Sequence, residues 1–82
     1  MSTAVSFFVY SRQHLISRCR ATVRPLGCRN TDTAAVYLAD MISQEAYRQK
    51  LLEGDDWSPA IDSLQDSGEW TEILETARKL PW

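Results

Sequence analysis

A chain of 82 residues with 44% apolar and 24% charged side chains has the makeup of one folded globular domain, not of a disordered segment. Folding at this size buries only about 60 to 65% of the unfolded surface, so stability calls for good packing or a partner. The formal charge of −2 conceals a split: Arg12, Arg18, Arg20, Arg24 and Arg29 stand in the first thirty residues without a single acid, and eleven acids face four bases in the rest.

The longest apolar run, Phe7-Phe8-Val9-Tyr10, falls far short of the roughly 18 residues of a membrane span, and a soluble cytoplasmic protein is expected. The acid-free N-terminus has the composition of an organelle transit peptide, the alternative to reading it as structure. Structure is the reading adopted here. At about 100° per residue, Val5, Phe8, Val9, Leu15, Ile16, Cys19 and Val23 share one arc, which predicts a helix over residues 3–24. Ser2 is its candidate N-cap, and Pro25 with Gly27 ends it. A short strand at residues 4–10 is the alternative, because β-branched and aromatic residues alternate there.

Asn30 or Thr31 caps a second helix over residues 32–53, closed by Gly54. Its broad face carries Ala34, Ala35, Leu38, Met41, Ile42, Ala46 and Leu52, while Val36, Tyr47 and Leu51 lie nearly opposite. A helix apolar on two sides sits centrally or meets a partner. Ser58-Pro59 then reads as an N-cap before a first-turn proline, starting a short helix over 59–66. A phase jump at Gly68 separates it from a helix over 68–80 with Trp70, Ile73, Leu74 and Ala77 inward, Asp66 and Glu69 as a capping box, and Glu75 paired to Lys79. The expected fold is an all-α, compact four-helix domain in a single unit spanning 1–82.

Catalytic chemistry is hard to assemble from these residues. One histidine, His14, and two cysteines, Cys19 and Cys28, without Cys-x-x-Cys or His-x-x-x-His spacing, argue against zinc, and no cofactor is expected. Cys19 lies on the apolar stripe; Cys28 is a loop thiol beside Arg29 and the more reactive of the two. Unclustered glycines exclude a phosphate-cradling loop. The expectation is a protein that is not an enzyme.

Arg12 falls in the middle of the helix 1 stripe, and its expected counter-charge is Glu45 on the apolar face of helix 2. A partner's carboxylate or phosphate is the functional alternative. Arg18, Arg20, Arg24 and Arg29 lie outward and could follow a nucleic-acid backbone. Trp57, beside Asp55 and Asp56, and Trp82 are either interface anchors or caps on the ends of the core.

The expected function is therefore a protein-protein interaction module that binds a larger protein or ribonucleoprotein complex stoichiometrically. Small phage and mobile-element inhibitors of host machinery, anti-CRISPR proteins included, are of this description; the likeness is one of size and absent chemistry, and no residue carries it. Two alternatives stand beside it. One is a nucleic-acid-associated regulator using the arginine face, and the other a homodimeric structural or antitoxin-like protein pairing through Val36, Tyr47 and Leu51.

Overall fold

The computed structural model describes the backbone of residues 3–51 and 56–81, and the side chains from Arg12 onward within those stretches. Val5, Phe8, Val9, Leu52, Gly54, Asp55 and Trp82, singled out above, thus lie outside the described side chains. Four α-helices and no strand are found among the described residues: α1 (Thr3–Val23), α2 (Thr31–Gln49), α3 (Ser58–Ser67) and α4 (Glu69–Lys79), with a 3-10 turn at Arg24–Leu26. The strand alternative at 4–10 is not adopted. With no second strand there to pair with it, an extended segment would leave its backbone groups unpartnered, whereas a helix satisfies them internally.

The turn signals act largely as expected. Pro25 tightens the chain into the 3-10 turn, and Gly27 takes the left-handed conformation at φ 70° that turns it toward α2. Asn30 caps α2, its Oδ1 accepting the Thr33 N–H at 3.0 Å. The helix then stops at Gln49, four residues short of the expected end. Lys50 adopts φ 53°, and the Leu51 N–H reaches back to the Ala46 carbonyl at 2.9 Å, closing the helix before Gly54 is reached.

At α3 the cap differs from expectation. Asp56 accepts the Ser58 N–H at 3.0 Å, and the Ser58 hydroxyl instead accepts from Arg18 at 3.2 Å, tying α1 to the start of α3. Gly68, at φ 83°, provides the break between α3 and α4. The Asp66–Glu69 capping box does not form, since the Glu69 N–H turns to Ser67 Oγ at 3.4 Å. Glu75 meets Arg78 at 3.5 Å, not Lys79.

α2 is the central element, in contact with α1, α3 and α4. Its buried apolar positions are Ala34, Ala35, Leu38, Ala39, Ile42 and Ala46, four of them alanines, which let the neighbouring helices come close, and Ser43 and Glu45 are buried beside them. α1 contributes Leu15, Cys19 and Val23, α3 contributes Ala60, Ile61 and Leu64, and α4 only Ala77. Trp57 is 5% exposed and closes one end of this core. Trp70, expected as core, is only half-buried, packing with Ile73 and Leu74 against the core's edge. With Ala77 as its one buried residue, α4 leaves a groove along its contact with α2.

The N-terminal positive charge and the acids beyond it are joined across the α1–α2 seam. Arg12 meets Asp40 at 2.5 Å and Arg20 meets Asp32 at 2.9 Å. Being largely exposed, such pairs fix register more than they add stability. No helix among the described residues is long and apolar enough to cross a membrane.

Candidate functional site

α2 and α4 run antiparallel: Glu69 lies toward Arg48, and Leu80 lies toward Asp32. Between them runs a cleft of about 480 Å³. Its floor is made by half-buried Tyr37, Met41 and Ile73 with buried Leu64, and its exposed rim by Gln44, Arg48, Glu69, Glu72 and Thr76. Tyr37 also lines a second, more open depression of about 420 Å³, together with Asp32, Thr33, Val36, Asp40 and Leu80. The i, i+4 spacing of Tyr37 and Met41 puts both on one strip of α2, and Glu69, Ile73 and Thr76 form the facing strip of α4.

One wall is held by a buried carboxylate. Glu45 is 3% exposed and accepts hydrogen bonds from Ser63 Oγ at 2.5 Å, from Gln49 Nε2 at 2.6 Å and from the Arg48 guanidinium. The Ser63 hydroxyl and then Arg48 hold its carboxyl below the ordinary value of 4.5, against the opposing effect of burial. The network joins α2 to α3 and sets Arg48 at the cleft wall. Arg12 takes no part in it. The expected Arg12–Glu45 pair does not form because Glu45 faces Ser63 of α3 while Asp40, on the α1 side of α2, meets Arg12, which is 46% exposed.

The remaining predicted site residues scatter. Arg18 and Arg20 are engaged with Ser58 and Asp32, and Arg24 and Arg29 are exposed with no side-chain partner among the described residues. Val36 and Tyr47 are exposed at 40% and 56%, and eleven residues apart on a helix they fall within about 20° of one stripe. Leu51 is partly buried, Asp56 is exposed and accepts the Ser58 N–H just before α3, and Trp57 is a core residue, not a surface anchor. Asp55 and Trp82 lie outside the described residues.

His14 is exposed, and no cluster of His, Cys, Asp and Glu among the described residues could hold a metal. Cys19 lies against a small cavity with Leu38, Ile42, Ile61 and Trp70, and burial pushes its thiol up to about 12, which keeps it protonated and unreactive. Cys28 is half-buried, its Sγ donating to the Val23 carbonyl at 3.5 Å.

Sequence reasoning missed the groove. Tyr37 and Glu72 carried no individual signal, Glu69 reads in the sequence as half of a capping box, and Met41 and Ile73 read as core; only the pairing of α2 with α4 brings them together. No protein-family model, curated protein or solved structure matches the chain. The fold defines its class: a small all-α helical domain with an amphipathic groove between two antiparallel helices.

Proposed function

We propose that this protein is a non-enzymatic interaction module that acts by stoichiometric binding to a larger protein or ribonucleoprotein complex. The observation that carries the reading is the α2–α4 groove, an apolar floor with a charged rim, which shares Tyr37 with a second depression beside exposed Val36. Apolar surface of this kind is favoured at interfaces, where its burial drives association and the rim sets partner choice. Two of the four outward arginines face intramolecular groups, which leaves less of the basic face for a nucleic-acid backbone and favours a protein partner.

The narrower proposal, an inhibitor of host machinery of phage or mobile-element type such as an anti-CRISPR protein, rests on size and absent chemistry. It predicts that the partner is a component of host nucleic-acid machinery. A second reading, a homodimer through Val36 and Tyr47, is favoured by their exposure, and sedimentation across the micromolar range tests it.

Affinity capture with the purified protein, with and without nuclease, followed by native mass spectrometry, tests the main reading. A nuclease-resistant complex of fixed stoichiometry is expected. Loss of the complex on nuclease treatment, together with sub-micromolar nucleic-acid binding abolished by reversing Arg24 and Arg29, would replace it with the nucleic-acid regulator. The salt slope is the second readout: each neutralised phosphate steepens log affinity against log salt by about 0.7 to 0.9.

A further inference from the structure

We propose, resting on the protein-binding reading above, that the α2–α4 groove receives a basic amphipathic helix from the partner. Its apolar side packs on Tyr37, Met41 and Ile73 while its lysines or arginines meet Glu69 and Glu72.

Charge is the first argument. Five carboxylates line the cleft and the depression that shares Tyr37 with it (Asp32, Asp40, Glu45, Glu69 and Glu72), against the single cation Arg48. Three of these acids already face arginines of this chain: Asp32 with Arg20, Asp40 with Arg12 and Glu45 with Arg48. Glu69 and Glu72 make no ion pair among the described residues, and both stand exposed on the α4 rim. An acidic rim repels phosphate and draws cations, so the complementary occupant is basic.

Shape is the second. The cleft runs along α2 from Tyr37 to Arg48, eleven residues or about 16 Å at the helical rise, which matches roughly three turns of a docked helix. A furrow between antiparallel helices accepts the ridge of a third, read through apolar anchors at i, i+3 or i+4, and i+7. There is no strand among the described residues to offer a sheet edge, so an added β-strand is not the mode. A second copy fits less well. Its own basic helix α1 commits Arg12 and Arg20 to its α2, which leaves Arg18, bonded to Ser58, as the one other cation on that helix for another molecule's groove.

The probe is a fluorescent Leu/Lys amphipathic helical peptide of about 18 residues, with a Leu/Glu peptide and a scrambled Leu/Lys peptide as controls. It is titrated against the full chain by anisotropy and followed by amide chemical-shift mapping. Saturable binding of the amphipathic basic peptide alone is expected, with shifts centred on Tyr37, Met41 and Ile73. Glu69→Lys with Glu72→Lys, both at exposed positions, should weaken it by about tenfold or more while the domain still melts cooperatively, with Tm lowered only by the loss of two acids from the first turn of α4. Tyr37→Ala is the apolar counterpart and should also weaken it.

Equal binding of the scrambled peptide, unchanged affinity in the charge-reversed variant, shifts centred elsewhere, or no binding at millimolar peptide would overturn the assignment. So would a homodimer whose interface covers Tyr37 and Ile73, which would put a second copy in the groove. If these fail while a nuclease-resistant protein complex is still captured, the groove assignment falls and the interaction module stands. If capture is lost on nuclease treatment and the chain itself binds nucleic acid at sub-micromolar concentration, the general reading falls as well.

Discussion

Removing the carboxylate of Glu45 should destabilise the whole domain, because that group is the polar link between α2 and α3. Glu45→Ala leaves Ser63 Oγ and Gln49 Nε2 without their acceptor, and hydrogen bonds to a charged group contribute about 1.5 to 3 kcal/mol each. Part is recovered, since Gln49 Nε2 already lies 3.3 Å from Ser63 Oγ and can keep that bond. Arg48 is 66% exposed and simply rehydrates, adding little. The net loss expected is about 2 to 3 kcal/mol, or roughly 10 to 20 °C in Tm for a domain this small. Urea melts at neutral pH measure it; a variant within about 0.5 kcal/mol of the parent would refute the linking role.

The pH dependence gives that prediction a sign. The folded-state pKa of Glu45 lies below its ordinary value of 4.5, so its contribution is fully present above that value and is lost as pH falls through the lower folded-state pKa. Glu45→Gln cannot titrate and places amide donors against Gln49 and Arg48. The stability gap between parent and Glu45→Gln should therefore be widest near pH 7 and narrow below about pH 4.5. A gap that stays constant down to pH 3 would show that the charge of Glu45 is not what the network holds.

Leu38→Ala, at a fully buried position, should cost about 2 to 5 kcal/mol in a denaturant melt, and a loss below about 0.5 would contradict its place in the core. Trp57→Ala should be the costlier of two tryptophan truncations at about 3 to 5 kcal/mol, with half-buried Trp70→Ala below it; the reverse order would mean that α4 is packed more tightly than described. In the native state a thiol reagent at pH 8 should modify Cys28 well before Cys19, since burial holds Cys19 protonated with its thiol at about 12, and mass spectrometry of the labelled peptides decides the order.

Much of this molecule is legible residue by residue. Periodicity placed Leu15, Cys19 and Val23 on one face of α1 and Ala34, Ala35, Leu38, Ile42 and Ala46 on one face of α2, and all are buried. Such faces are local properties, set by 3.6 residues per turn and the cost of leaving apolar surface in water. Asn30, Pro25, Gly27 and Gly68 likewise act through backbone geometry within a few residues. Where two local signals compete, the reading is weaker. Lys50 took the left-handed conformation that ends α2 at Gln49, and Ser58 fell in the first turn of α3 and not at its N-cap, with Asp56 accepting its N–H and Arg18 of α1 donating to its hydroxyl.

Composition and periodicity by themselves determined an all-α chain, a central second helix, and a basic segment followed by an acidic one. Only the tertiary structure decided which charges meet and which apolar surfaces stay open. Arg12 and Glu45 both lie on apolar stripes, yet they take different partners, Asp40 and Ser63, because the choice depends on how α1 and α3 sit around α2. Tyr37 and Met41 on one helix and Glu69 and Ile73 on another are at least 28 residues apart in the chain, and neither set marks a groove alone. A groove belongs to two helices at once, and its existence turns on how closely they pack, a quantity that a one-dimensional pattern of residues does not contain.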